Sequence, residues 1–193
     1  MEKIKLCKPF SFEGKEYTEV ELKHLDEMTV KDVIEVQKET AANASATLAT
    51  VSSTAFIIGL LARAAEMPVE FFKLMPMQSM KEARMEIMKR FGSNEKKPHD
   101  GKLELEKPYT YKGKSYTVVE FPGASKLCGM DMMEAEDTIA EEGFVAPYPQ
   151  GNYLYCCVLM ARASGLPEEF FTGLPMNEAT KIKNAVESKD FFE

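Results

Sequence analysis

Hydrophobic and polar residues alternate with a period of two at the start of the chain, a pattern typical of half-buried β-strands. Ile4-Lys5-Leu6-Cys7 and the stretch from Tyr17 to Leu22 follow it, and Glu13-Gly14-Lys15 between them supplies a glycine that tolerates positive φ. The second half has the same arrangement, in Leu103-Glu104-Leu105, Lys112-Gly113-Lys114 and Tyr116 to Phe121. The pattern therefore predicts one β-hairpin in each half.

After the first hairpin the hydrophobic period changes to that of a helix. Thr29 is suited to cap a helix from Val30 to about Ala42, and the stretch from Thr54 to Glu66 is apolar on nearly every side. Pro68 is expected at the first position of a short helix. A last amphipathic helix is predicted from about Ser79 to Phe91, so the hairpin is followed by four helices.

The second half repeats the first at a constant offset of 99 positions, as from Pro9 to Pro108 and from Pro68 to Pro167. Roughly twenty positions are identical over about ninety, which is several times the chance rate for average residue usage. A fixed period of this size indicates two copies of one structural unit. The helix predictions carry over, with Pro167 opening the short helix and the last helix covering about Asn177 to Ser188.

The repeat divides the chain into two tandem similar domains, each long enough to bury a modest core. The predicted first repeat covers residues 1–92 and the second covers residues 103–193. Residues 93–102 are polar and lack periodicity, and they contain a proline and a glycine, so they form the predicted linker. The predicted fold class is α+β, with a β-hairpin followed by a small helical bundle in each repeat.

Charge and hydropathy exclude several classes of partner. The 193 residues carry a formal net charge of −7, which argues against nucleic acid because phosphate binding needs clustered Lys and Arg. The longest apolar stretch, Ala55 to Ala62, is far shorter than the ~18 residues that span a bilayer, and residues 1–5 lack the apolar core of a signal peptide. The four cysteines do not recur between the halves, so reduced thiols in a cytoplasmic protein are expected.

Residue types that carry catalysis form no recognisable constellation in the sequence. His24 and His99 lack the spacing of a zinc site, and Gly14 and Gly113 belong to hairpin turns rather than phosphate-binding loops. Cys156-Cys157 lies within an apolar helix and is expected to be buried. The sequence therefore predicts a non-enzyme with no catalytic residue, no metal site and no cofactor, although a site built between the two halves stays open.

One arginine lies in the most apolar helix of each half, Arg63 in the first and Arg162 in the second. Such a side chain often runs along the helix edge until its charged end reaches water. The alternative is an ion pair with the carboxylates that begin the first helix of each half, which are Asp32 and Glu35, repeated as Asp131 and Glu134. Both interpretations are structural rather than catalytic.

Two groups of side chains are candidates for binding a partner. Methionine side chains repack against varied partners, and the last helix of the first half contributes Met77, Met80, Met85 and Met88. Aromatic side chains are typical interface anchors when they are exposed, and the region before the second central helix contributes Phe144, Tyr148 and Tyr153. Packing in the core is the alternative for both groups.

The order of these motifs resembles the tail assembly chaperones of long-tailed bacteriophages and prophages. The resemblance rests on the hairpin Ile4 to Leu22, the helix start Thr29 to Val33, the Pro-Val-Glu-Phe-Phe motif within Leu60 to Leu74, and the final helix. A weaker second copy extends it over most of the other half. The chain departs from the family pattern at Asp26-Glu27-Met28, where a Pro-Thr pair is expected, at Met77-Gln78-Ser79, and in the doubling itself.

The resemblance implies a non-catalytic protein of the host bacterial cytoplasm. It implies binding to the tape measure protein or to tail tube subunits, which are kept soluble until the tube polymerises. Two alternatives stay open, namely a structural component of the phage particle and a small acidic inhibitor or regulatory protein that binds a host protein. The sequence also leaves open whether the halves pack together and whether the chain self-associates.

Overall fold

The computed structural model describes residues 2–43, 53–91, 101–144, 148–188 and 191. The first repeat contains β1 (Glu2–Phe12), β2 (Lys15–Leu22), α1 (Val30–Asn43), α2 (Thr54–Ala65), α3 (Val69–Leu74) and α4 (Met77–Phe91). The second contains β3 (Lys102–Tyr111), β4 (Lys114–Glu120), α5 (Gly129–Glu141), α6 (Tyr153–Ser164), α7 (Glu168–Thr172) and α8 (Ala179–Val186), with short 3-10 turns at Ala124–Lys126, Pro149–Gly151 and Met176–Glu178. The predicted α+β fold of two hairpin-plus-helix units is confirmed.

Each hairpin is an antiparallel pair closed by a two-residue turn, with Phe12 opposite Lys15 in the first repeat. Both turn residues have positive φ, 49° at Glu13 and 77° at Gly14. Lys112 and Gly113 repeat these values at 47° and 80°. Positive φ at both positions matches the right-handed twist of the flanking strands, which is why the turn can be this short.

The first strand of each hairpin is longer than the sequence pattern predicts, because the strand continues beyond a proline. The pairing register shifts between Lys5 and Phe10, around Pro9, and again between Glu104 and Tyr109, around Pro108. Proline has no N–H to donate to a ladder, so it is tolerated where pairing is interrupted. The alternation of hydrophobic and polar residues stops at this irregularity, and the predicted strands therefore ended before the prolines.

The interrupted strand is held by the start of the last helical segment in each repeat. The Cys7 N–H donates to Ser79 Oγ at 3.1 Å, and the Glu106 N–H donates to Glu178 Oε1 at 2.8 Å. These residue pairs are related by the same offset of 99 positions. The backbone groups freed from the ladder are thus satisfied by side chains, as buried polar groups generally are.

Each hairpin packs its aromatic face on one phenylalanine of the short helix. The Phe71 ring lies 5.2 Å from Phe10, 5.3 Å from Phe12 and 4.9 Å from Tyr17, all edge to face. The second repeat forms the same cluster, in which Tyr109, Tyr111 and Tyr116 surround Phe170. Since edge-to-face pairs add to the effect of burial, this cluster is a main attachment between sheet and helices.

The central helices α2 and α6 form the core of their repeats, as their apolar composition predicts. Ser53 caps α2 by accepting from the Phe56 N–H, and Asn152 caps α6 by accepting from the N–H groups of Leu154 and Tyr155. The left-handed residue Gly165 ends α6, and Glu66 ends α2 in the same conformation at φ 55°. Caps of both kinds satisfy the free backbone groups of a helix end.

The boundaries of four helices differ from the predictions. Pro68 and Pro167 precede their helices in an extended conformation instead of occupying the first helical position. Helix α4 begins at Met77 instead of Ser79, and its counterpart α8 is shorter than predicted, after the turn Met176–Glu178. Residues 92–100, which include most of the predicted linker, lie outside the described residues, as does the segment Ala44 to Thr50.

The two repeats pack against each other. A short antiparallel bridge joins Thr29 to Pro175, with the Val30 N–H donating to the Leu174 carbonyl at 2.8 Å and the Met176 N–H donating to the Met28 carbonyl at 2.9 Å. Edge-to-face stacking of Phe91 on Tyr153, with ring centroids 5.8 Å apart, extends the contact. The chain therefore folds with a continuous contact between its halves, which the sequence left open.

Candidate functional site

The two buried-helix arginines hold ion pairs. Arg63 lies 2.7 Å from Glu35, 2.7 Å from Glu39 and 3.6 Å from Asp32. Burial of the guanidinium lowers its pKa, but hydrogen bonds and charge from Glu35 and Glu39 outweigh this and raise the pKa overall. The ion-pair interpretation is therefore confirmed for the first repeat, with Glu39 as an additional partner.

Arg162 makes the same arrangement in the second repeat, 2.9 Å from Asp131 and 2.7 Å from Glu134. Asp131 also accepts the Cys128 N–H at 2.8 Å, and this bond, followed by the hydrogen bond from Arg162, lowers the pKa of the carboxyl. The paired carboxylates thus tie the first helix of each repeat to its central helix. Because these carboxylates are engaged in ion pairs with the arginines, they do not form a free acid–base pair.

The cysteines fall into two classes. Cys156 and Cys157 are fully buried in α6, and burial raises the pKa of Cys156 to about 12 and that of Cys157 well above its ordinary value. Cys7 and Cys128 are exposed. A nucleophilic thiol needs a lowered pKa, so the buried pair behaves as small apolar side chains, as predicted.

A cleft of about 410 Å³ lies along the boundary between the repeats and is lined by residues of both. Several of its charged side chains are engaged in structural pairs, since Arg90 binds Glu2 and Asp26, and Glu178 binds Lys181. Within the described ranges, no group of three or more His, Cys, Asp or Glu side chains is placed to hold a metal ion. Among the described residues, no Ser, Thr, Cys or His side chain lines this cleft.

The structure separates the four candidate methionines. Met85 projects from the solvent side of α4, opposite the buried residues Ala83 and Ile87, and Met77 is exposed at the start of the helix. Met80 and Met88 are half-buried and pack against the core. The four side chains therefore do not form one continuous stripe, and Met77 and Met85 are the two accessible members.

The three candidate aromatic residues are separated in the same way. Tyr148 is exposed, whereas Phe144 and Tyr153 are buried in the core. Tyr153 begins α6 and its ring packs on Phe91 of the first repeat. Tyr148 is therefore the accessible member of the three and stays a predicted anchor, while Phe144 and Tyr153 stabilise the packing of the helices.

Sequence reasoning missed other exposed apolar side chains. Leu74 at the end of α3, and Met130 and Met133 at the start of α5, are exposed. Met130 and Met133 lie one helical turn apart and share a helix face. The sequence signal for this exposed face was two methionines three positions apart, in a segment otherwise rich in acidic residues.

These surfaces belong to a chain whose helices, in the described ranges, are all too short or too polar to cross a membrane. Comparison with known families gives one informative match. Residues 3–91 match the family described as phage tail assembly chaperone proteins, E, or 41 or 14. The match runs from β1 to the last residue of α4, so it covers the described first repeat almost completely.

The match covers a little under half of the 193 residues. Comparisons with curated proteins and with solved structures give no match. The matched unit is the one whose α4 exposes Met77 and Met85.

Proposed function

We propose that this protein is a tail assembly chaperone that binds the tape measure protein or tail tube subunits before the tube polymerises. The observation that carries the proposal is the family match over residues 3–91. The second repeat, with its hairpin and helices in the same order, is proposed to be a second copy of the same unit. The protein acts without catalysis, in the cytoplasm of the host bacterium.

The accessible methionine Met85 provides the proposed client surface on α4. Flexible thioether side chains adapt to different apolar partners. An unassembled client is proposed to expose apolar helix faces, and burial of such faces on an adaptable surface reduces the concentration of aggregation-prone chains. The net charge of −7 favours the solubility of the resulting complex.

Co-expression of the tagged chain with its neighbouring tail genes, followed by affinity capture and mass spectrometry, tests this proposal. Wild type is expected to capture a long helical tail protein, and Met85→Glu is expected to lower the captured amount about tenfold, as for loss of an interface contact worth about 1.4 kcal/mol. Met85→Leu is the matched control, because it keeps an apolar side chain at the same position, and it should capture as wild type does.

Three results would contradict the proposal. Capture of a host protein instead of a tail protein would favour the inhibitor alternative, and recovery of the chain in purified phage particles would favour a structural component. Equal capture by Met85→Glu and wild type would remove the α4 surface from the proposal. Tyr148→Ser, tested in the same assay, then shows whether the second accessible candidate binds the client.

A further inference from the structure

The two repeats contribute different, non-equivalent surfaces to the contact between them. The second repeat contributes Leu174-Pro175-Met176, here named the docking segment, and the first contributes Met28 to Val30 and the adjoining face of α1. On that face Gln37 donates to the Gly151 carbonyl at 2.8 Å and accepts from the Tyr153 N–H at 3.0 Å. A one-sided contact between two similar units uses a different surface on each.

The docking segment has an unused copy in the first repeat. Met75-Pro76-Met77 occupies the equivalent positions, 99 residues earlier, and keeps the proline and the methionine. Met176 is 3% exposed in its contact, whereas Met77 is 78% exposed. Met75 is already extended, at φ −60° and ψ 138°, as a strand-like bridge requires.

The surface that receives the docking segment, formed by Met28 to Val30 and the adjoining face of α1, also has an unused copy in the second repeat. Leu127 to Gly129 corresponds to Met28 to Val30, and across the described ranges no backbone hydrogen bond joins it to Met75-Pro76-Met77. Ile34, on the covered face of α1, is 7% exposed, whereas its counterpart Met133 on α5 is 65% exposed. Each surface of the internal contact is therefore present a second time, with Pro76, Met77 and Met133 exposed, whereas Met75 is buried and Leu127 is half-buried.

We propose that a second copy of this chain covers both surfaces. Met75-Pro76-Met77 of one chain docks on Leu127 to Gly129 and on Met133 of α5 in the next chain. The contact repeats between chains the arrangement that already joins the repeats within one chain. Such a head-to-tail contact leaves one free surface at each end, so it closes into a ring or extends as a helical array.

The distribution of charged residues supports a second copy of this chain as the partner. Exposed Lys73 and Lys81 flank the unused docking segment, whereas exposed Glu136 and Asp137 lie beside Met133 on α5. Opposite charges around an apolar centre favour encounter and fix orientation.

Sedimentation velocity of the full chain, from micromolar to millimolar concentration, tests the proposal. The sedimentation coefficient of wild type is expected to rise with concentration, to values larger than that of a dimer. Met77→Glu and Met133→Glu each damage one of the two surfaces, and each alone is expected to weaken association at least about tenfold. Met85→Glu, which also replaces an exposed methionine of α4 but lies outside the contact, should associate as wild type does.

Mixing the two damaged variants gives the decisive result. A Met77→Glu chain keeps its α5 surface, and a Met133→Glu chain keeps its docking segment, so an equimolar mixture is expected to form a 1:1 dimer that cannot extend. Unchanged far-ultraviolet circular dichroism shows that the variants are folded, which is expected because both side chains are exposed.

A monomeric wild type at all concentrations would overturn the proposal, as would a mixture that stays monomeric or a Met85→Glu chain that dissociates equally. If wild type is monomeric but Met133→Glu loses the tail protein in the capture assay, the α5 surface belongs to the client instead. Failure of self-association leaves capture by wild type unaffected, so the two proposals fail separately.

Discussion

The four thiols differ in their access to water, and this difference determines their chemistry. Cys7 and Cys128 are exposed, whereas Cys156 and Cys157 lie inside α6. A thiol reacts as its thiolate, and burial disfavours the charged form. Two of the four thiols should therefore react rapidly with a disulfide reagent in the native protein, and all four after addition of denaturant. Rapid reaction of all four without denaturant would contradict the buried position of the pair.

The buried thiols also predict how stability depends on pH. The pKa of Cys156 rises from an ordinary 9.0 to about 12 on folding, so at high pH the unfolded chain loses protons that the folded chain keeps. The contribution of this thiol is fully present below pH 9 and is lost as pH rises towards 12. Urea midpoints should fall less between pH 8 and about pH 10 in a Cys156→Ala variant than in wild type. Equal falls would contradict the assignment.

The arginine ion pairs predict a modest loss of stability. Arg63→Met removes three carboxylate contacts, but the group is partly exposed and solvent weakens each pair, so the free energy of unfolding should fall by about 1 kcal/mol. Urea denaturation measures the change. Lys73→Met is the matched control, since its pair with Glu70 is exposed at 3.4 Å, and it should change stability by less than about 0.5 kcal/mol. Wild-type stability in Arg63→Met would refute a structural role.

Side-chain exposure could be predicted for some candidate residues and not for others. The apolar helix signal correctly placed Cys156 and Cys157 in the core. Tyr148 and Tyr153 are both tyrosines close together in sequence, yet the first is exposed and the second is buried. The difference arises because Tyr153 faces Phe91 of the other repeat, and residue type does not encode that contact.

At the scale of single elements, the hairpin turn predicts a gain in stability. Glu13 adopts φ 49°, which is unfavourable for most L-residues, whereas asparagine tolerates it. Glu13→Asn should therefore stabilise the protein by about 0.5 kcal/mol, seen as a higher thermal midpoint. Gly14→Ala is the opposing variant, because φ 77° disfavours a Cβ, and it should lose about 1 kcal/mol. A loss of stability in Glu13→Asn would contradict the assigned turn.

Element types were predictable because hydrophobic periodicity reports on local burial, and both hairpins and the central helices follow it. Boundaries were less predictable where neighbours intervene. Helix α4 begins directly at Met77, whereas the equivalent Met176 lies in a 3-10 turn before α8. At this start the contact between repeats engages the Leu174 carbonyl and the Met176 N–H, and the described residues show no such bonds to Met75 and Met77.

At the scale of the molecule, Gln37 joins the repeats through two hydrogen bonds to backbone groups of the second repeat. Gln37→Met keeps the size of the side chain but leaves the Gly151 carbonyl and the Tyr153 N–H without this partner. Because unpaired buried polar groups are costly, the free energy of unfolding should fall by about 2 kcal/mol. Urea denaturation measures the loss.

The control for that experiment is Gln78→Met, which makes the same substitution at an exposed position of α4. It should leave stability within about 0.5 kcal/mol of wild type. Equal losses in both variants would show that the methionine substitution itself is harmful and that the contact between repeats contributes little.

The amino-acid sequence by itself determined the repeat, the two hairpins and the central helices, because these depend on local alternation, turn residues and apolar periodicity. Only the tertiary structure decided which apolar surfaces are covered. Ile34 and Met133 are equivalent and equally apolar, but α1 meets the second repeat while the face of α5 remains exposed. The physical reason is that two similar units packed one-sidedly bury different faces, and no local pattern distinguishes those faces.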